Sequence, residues 1–387
     1  MATTTGATGT QGRLADLLGA GQSVWLDFIT RNLVRKGELR RMIEQDGLRG
    51  MTSNPTIFQK AIAEGDAYDE QIKELVGAGH DATAIFVAVA IKDIQDACDL
   101  FRPLYDRTEG GDGLVSIEVS PLLARDTAGT IAEARRLWAT VDRPNVMIKV
   151  PGTAEGAPAV ETLLGEGINV NVTLLFSLAN HERVMWGYIA GLEALAATGK
   201  PINRVASVAS FFISRVDVLV DSLLDAKIAA TSDEAAKTAL RALLGKVAVA
   251  NAKLAYARFR EIFGEARFVA LAAQGANVQR PLWASTGTKN KTYSDVLYVE
   301  ELIGPDTVNT LPPATLEAFL DHGTVARTID QGVDEARATL AALAEAGIDI
   351  DAVTRQLEEE GVDLFAKSFD DLLTGVEGKR KEMQAAR

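Results

Sequence analysis

Ile168-Asn169-Val170-Asn171-Val172-Thr173 sets a polar residue at every second position and a β-branched apolar residue between them. Side chains of a strand alternate faces, so the segment predicts a strand with one apolar and one polar side. The periodic Ala/Leu-rich stretch 178–198 that follows reads as a helix. The same order recurs outward in both directions. Strands are predicted at Ser23–Asp27, Arg49–Thr52, Leu114–Ser120, Asn145–Val150, Ile168–Thr173, Arg204–Ala209, Arg280–Ser285 and Thr307–Thr310. Helical stretches occupy 31–45, 55–77, 82–103, 123–140, 155–165, 178–198, 211–228 and 291–302. Thr231 followed by Glu234 predicts a capping box that opens one long helix through Ala235–Phe263. Each crossover is long enough for a parallel connection, which favours an α/β chain folded as a single (β/α)8 TIM barrel with additional helices. A doubly wound open sheet is the alternative, but the G-x-G-x-x-G turn it would place after the first strand is missing. On this reading residues 1–20 are a flexible N-terminal segment. Residues 21–387 are the barrel, with C-terminal helices packing on or over it.

Composition limits the function. The 387 residues carry 40 basic and 53 acidic side chains, a net charge of −13, which disfavours nucleic-acid partners. With 47% hydrophobic and 24% charged residues, the chain can build a core. The single cysteine, Cys98, excludes an internal disulfide framework, and His80, His181 and His322 are too scattered for a histidine-rich metal site. The start of the chain lacks a signal-peptide pattern, and no run approaches about 20 uninterrupted apolar residues. A cytoplasmic location with no membrane partner is expected, and assembly into a homo-oligomer is left open.

Polar side chains late in several strands point to a site. Asp27 shares a strand side with Trp25, Glu118 with Ser116, and Lys149 with Met147. Strands of a parallel barrel are covered on both faces, so these stripes must meet something polar, and the C-terminal mouth meets that need. Each residue also has a plainer explanation: Lys149 as a surface cation, Asp27 as a cap, Glu118 as half of an ion pair, and Asn169, Asn171 and Thr173 as a satisfied structural network. Convergence of two acids, one amine and several neutral polar groups weighs against those explanations. A lysine amine held away from water gives up its proton more readily and adds to a carbonyl as a Schiff base. Asp27 would take a substrate hydroxyl proton as a carbon–carbon bond breaks, and Glu118 would move protons through water. Ser210 through Arg215 at a predicted helix start suits a phosphate, and Ser285-Thr286-Gly287-Thr288-Lys289 is a second hydroxyl-rich turn bearing a cation.

Three stretches resemble the transaldolase family. Gly47-Leu48-Arg49-Gly50-Met51-Thr52-Ser53-Asn54-Pro55-Thr56 is similar to its T-S-N-P signature, and Val146-Met147-Ile148-Lys149-Val150-Pro151-Gly152-Thr153 to the segment carrying its Schiff-base lysine. Asn169 through Ser177 is similar to its N-x-T-L-L-F-S stretch. The resemblance runs from about Ser23 to Leu320, with Gln279–Asn290 and Gly304–Pro313 similar to the longer bacterial form. It implies Lys149 as nucleophile, Asp27 as acid/base and Glu118 as a partner acting through water. It also implies that Asn54, Asn171 and Thr173 position the dihydroxyacetone portion and the water, and that Ser210, Arg215 and Ser285 bind phosphate. Where shorter relatives place a second arginine, this chain has Gly287 and then Lys289, taken as the replacement. The implied reaction moves a dihydroxyacetone unit between sugar phosphates of the pentose phosphate pathway, with neither metal nor organic cofactor. Rivals are an aldolase that releases free dihydroxyacetone, a two-carboxylate glycoside hydrolase using Asp27 and Glu118, and a non-catalytic sugar-phosphate binder.

Overall fold

A computed structural model describes residues 12–63 and 65–385. Eight parallel strands close into one barrel in chain order: β1 (Gln22–Asp27), β2 (Gly50–Thr52), β3 (Leu114–Glu118), β4 (Val146–Pro151), β5 (Val170–Leu175), β6 (Ser207–Phe212), β7 (Arg280–Ala284) and β8 (Thr307–Leu311). The (β/α)8 expectation is therefore met, and all eight predicted strands are present. Their apolar residues are buried by helices outside and packed side chains inside, and one contiguous core runs from Leu14 to Val376.

Register aligns the polar stripes. Asp27 stands opposite Thr52, while Glu118, Lys149 and Asn171 lie side by side across β3, β4 and β5. Alternation fails once in β5, where the pairing shifts between Val172 and Leu175 and Leu174 has φ +60°. Such a bulge bends the strand and changes where its side chains point directly after Thr173.

Several local expectations are corrected. Within the segment expected to be flexible, residues 1–11 lie outside the described residues, but Arg13–Gly19 form a helix that buries Leu14 and Leu17. The helix expected through Ala235–Phe263 is two helices, Glu234–Arg241 and Val247–Ile262, separated at Gly245 with φ +68°. Its N-cap is Asp233, which accepts the Ala235 N–H at 2.9 Å. Phe211 and Phe212 belong to β6, so the next helix starts at Ser214, and within 291–302 only Leu297–Glu300 is α-helical. The chain ends in a 36-residue helix, Ile350–Ala385, which crosses the barrel mouth and joins it through a hydrogen bond from Thr56 to Ser368 (2.9 Å).

Candidate active site

Lys149 comes late in β4, where burial of its neighbours Ile148 and Val150 on the outer side leaves its own side chain inside the barrel. Its ammonium donates to the carbonyl of Ser53 at 3.1 Å and lies 3.3 Å from Glu118 Oε2; both side chains are about 95% buried or more (6% and 4% exposed). Among the described residues neither oxygen of Glu118 has a hydrogen-bond donor beyond this ion pair. Burial pushes the Glu118 carboxyl above the usual carboxylate range, against the pull of the Lys149 charge. Asp27 is raised in the same way by loss of solvent, opposed by Lys149 and by the hydroxyl of Thr52, which donates to Asp27 Oδ1 at 2.7 Å. Thr310 closes this chain with a 2.7 Å contact to Thr52 Oγ1.

A cavity of about 510 Å³ opens at the C-terminal mouth. Of the residues singled out from the sequence, Asp27, Asn54, Lys149, Thr173, Ser210, Arg215, Ser285 and Lys289 line it. Asn171 lies beneath as a connector: its amide donates to Ser116 Oγ at 3.0 Å and its carbonyl accepts the Ser210 hydroxyl at 2.7 Å. Glu118 lines a neighbouring cavity and touches the site through Lys149. Asn54 uses Oδ1 to cap the helix Pro55–Ala63, accepting from the Ile57 N–H at 3.0 Å, which leaves its N–H groups for the cavity. The buried Thr173 hydroxyl has no partner among the described residues. Asn169, by contrast, is fully engaged below the site, donating to Pro144 and Val146 carbonyls and accepting from Ala206.

At the other side of the mouth the helix Ser214–Ala230 is stitched to the end of β7. Ser214 N–H donates to the Ser285 carbonyl at 3.1 Å and the two hydroxyls meet at 3.0 Å. Ser285 holds φ +55°, a left-handed conformation that costs a serine on the order of 1 kcal/mol and is kept only where surroundings enforce it. Arg215 lies over the Phe212 ring at 5.4 Å, and burial lowers its guanidinium affinity for protons. Among the described residues no carboxylate forms an ion pair within 4 Å of Arg215, Lys289 or Lys60, although the charge of Glu360 reaches Arg215, so this wall of the cavity carries three cations. No cluster of three His, Cys, Asp or Glu suited to a metal ion occurs among the described residues.

Sequence reasoning missed Thr52, Thr310, Lys60 and the cover supplied by Leu364, Phe365 and Ser368. Thr52 and Thr310 carried a signal, since both are the last polar residues of predicted strands. Lys60 follows Thr56 by one helical turn, so both share a face. The cover carried none.

Residues 24–376 match the family described as transaldolase/fructose-6-phosphate aldolase. A transaldolase of Trichodesmium erythraeum is 48% identical over 372 residues, spanning 96% of this chain and 98% of its own. A transaldolase of Thermobifida fusca is 51% identical over 364 residues (94% and 97%), and one of Mycolicibacterium smegmatis 49% identical over 367 residues (95% and 97%).

Proposed function

The chain is an enzyme of the transaldolase/fructose-6-phosphate aldolase family, and from that premise we propose that it transfers a dihydroxyacetone unit through a Schiff base on Lys149. The donor is fructose 6-phosphate or sedoheptulose 7-phosphate, and the acceptor is glyceraldehyde 3-phosphate or erythrose 4-phosphate. We place this exchange in the pentose phosphate pathway of the cytoplasm. The observation that carries the reading is the buried Lys149 amine 3.3 Å from Glu118, opening on a cavity that is also lined by Asp27 and by the cations Arg215, Lys289 and Lys60.

The neutral amine of Lys149 adds to the ketose carbonyl, giving a carbinolamine. Glu118, pushed up by burial, then donates the proton with which the hydroxyl leaves as water. The resulting iminium draws electrons from the C3–C4 bond. Asp27 takes the C4 hydroxyl proton as that bond breaks, and the first aldose phosphate departs. The three-carbon enamine stays on Lys149 until an acceptor aldehyde arrives. Its carbon attacks that carbonyl, Asp27 returns the proton, and water releases the new ketose. Asn54 N–H groups and the Thr173 hydroxyl face the cavity as hydrogen-bonding partners for the three-carbon unit. Ser210 shares the Asn171 network, so we group it with them, whereas Arg215, Ser285 and Lys289 are assigned to the phosphate.

The test is borohydride reduction with fructose 6-phosphate followed by peptide mass mapping. A reduced three-carbon adduct on the peptide containing Lys149 is expected; an adduct elsewhere, or none in an active preparation, overturns the assignment. The family description also names an aldolase. Rapid release of dihydroxyacetone without erythrose 4-phosphate would favour that activity.

A further inference from the structure

We propose that Tyr293 is a positioning residue for the sugar phosphate: its hydroxyl, bonded to Asp221, holds the turn that presents Lys289 to the cavity. The proposal rests on the assignment of Arg215, Ser285 and Lys289 to the phosphate made above.

The segment after β7 is anchored at two places, with Lys289 between them. At its start Ser285 meets Ser214, and the Thr286 hydroxyl donates to Asn309 Oδ1 at 2.9 Å. Further on, the Tyr293 hydroxyl donates to Asp221 Oδ2 at 2.8 Å, while Asp221 Oδ1 accepts the Gly245 N–H at 3.0 Å. Asp221 belongs to the helix Ser214–Ala230, whose first turn carries Arg215. Tyr293 therefore ties the segment bearing Lys289 to the helix bearing Arg215. The seat of its ring is specific: a Cβ at Gly245, whose φ is +68°, would lie 2.7 Å from Tyr293 Cζ.

The neighbours of Lys289 transmit this anchor. The Thr288 hydroxyl donates to the Ser294 carbonyl at 2.8 Å. The Asn290 carbonyl accepts the Tyr293 N–H at 3.1 Å, and Asn290 Oδ1 accepts the Thr292 hydroxyl at 2.8 Å. Residues 288–294 thus form one closed turn, and what fixes Tyr293 fixes Lys289. The need for such an anchor is electrostatic. Lys289 lines the sugar cavity and also a recess of about 380 Å³ that holds Asp217, Asp221 and Asp225. A lysine on a loose turn would divide its time between those acids and the phosphate; a fixed turn removes that competition before the sugar arrives. Tyr298 supplies an internal control. It donates to Asp217 Oδ2 at 2.8 Å, one helical turn before Asp221, and Asp217 Oδ1 accepts the Ala248 N–H at 2.7 Å. The bonds are of the same kind, but Tyr298 lies in the helix Leu297–Glu300, outside the closed turn.

Kinetics of Tyr293→Phe, which keeps the ring and removes the hydroxyl, test the proposal. At low ionic strength KM for fructose 6-phosphate is expected to rise about two- to fivefold, up to the whole worth of an exposed lysine, with kcat unchanged. Asp221→Asn, which removes the charge from the same bond, should shift KM in the same direction. In a Lys289→Ala background Tyr293→Phe should add nothing, because the two act as a unit. Loading of Lys149 by free dihydroxyacetone, which has no phosphate, is read as inactivation by borohydride and should keep its concentration dependence. Tyr298→Phe should lower the melting temperature and leave KM alone. An unchanged KM in Tyr293→Phe, a rise that persists in the Lys289→Ala background, a matching loss with dihydroxyacetone, or an equal rise in Tyr298→Phe would each overturn the proposal. Lys289→Ala by itself tests the phosphate assignment: if KM does not respond to it, that assignment falls together with this proposal. A response to Lys289→Ala without one to Tyr293→Phe overturns this proposal alone. Failure of dihydroxyacetone to load the unaltered protein would count against the Schiff base instead.

Discussion

The two ends of the barrel both hold buried charge, but they treat it differently. At the N-terminal end Asp112 accepts from Arg280, Arg49 and Ser23 at 2.9–3.2 Å, and Arg280 also donates to the Gly111 carbonyl. Donors and acceptors are matched between β1, β7 and the residues leading into β2 and β3, and the Arg280 guanidinium is further covered by Trp25 at 5.9 Å. At the C-terminal end, among the described residues, Glu118 meets only the Lys149 ammonium, the Thr173 hydroxyl has no partner, and Arg215, Lys289 and Lys60 form no ion pair within 4 Å. The lower end also leaves neutral atoms unpaired, Gln22 Oε1, Asn145 Oδ1 and Gln279 Oε1 among them, but its charges are matched. At the upper end it is charged groups beside a cavity that stay poorly matched, the pattern that we read as made for a substrate.

Exchanging one residue at each end should separate chemistry from stability. Lys149→Ala is expected to lower kcat by about four orders of magnitude or more, since the whole covalent route passes through it. Its denaturation midpoint should move little, because Glu118, already pushed up by burial, takes a proton once its partner is gone. Asp112→Ala should show the opposite profile. Two guanidinium groups lose their buried carboxylate, a change worth about 3–5 kcal/mol of stability in urea denaturation, while kcat per folded molecule stays as it was. If Asp112→Ala loses kcat while still folded, the ends are coupled and the contrast fails.

Glu118→Gln sharpens the contrast from within the upper end. Folded Glu118 holds its proton to higher pH than it would in the unfolded chain, so its contribution to stability is present in acid and is lost as pH rises through its raised pKa. Glutamine stays neutral throughout. The variant should thus melt at the same temperature as the parent in acid and increasingly higher towards neutral pH, while kcat falls by about 10²–10⁴. A melting curve that drops at neutral pH would mean that the Lys149 pair is a stabilising one after all.

How much of this was legible depended on the range of the interaction involved. Short apolar stretches between helical ones exposed all eight strands, and period-2 alternation placed Asp27, Glu118 and Lys149 on polar stripes, because facing is a local property. Register is not local. Nothing near Thr52 announces that its hydroxyl meets Thr310, 258 positions away. The bulge at Leu174 interrupts an alternation that looks continuous in the sequence. Asp233 displaced the expected capping box because a carboxylate two residues nearer the helix than Thr231 reached the Ala235 N–H. That the final helix crosses the mouth, with Leu364 and Phe365 over the cavity, follows from tertiary packing that an amphipathic pattern leaves undirected.

The smallest effect is expected at the phosphate wall, where the two cations differ in setting. Arg215 is half-buried, lies over Phe212 and follows directly after Ser214, which is tied to the Ser285 hydroxyl. Arg215→Ala should therefore raise KM for fructose 6-phosphate by roughly 10–100-fold, the worth of a charge-assisted hydrogen bond with little competing water. Lys289 is exposed, so water and salt weaken its attraction for the same group. Lys289→Ala should raise KM by only about two- to fivefold, an effect that fades as ionic strength is raised from 0.05 to 0.5 M. Neither change should alter the trapped adduct on Lys149. A KM penalty for Lys289→Ala that matches Arg215→Ala and resists salt would show that this lysine is drawn into the site when sugar binds, and that the upper end gains its missing counter-charges by closing around the substrate.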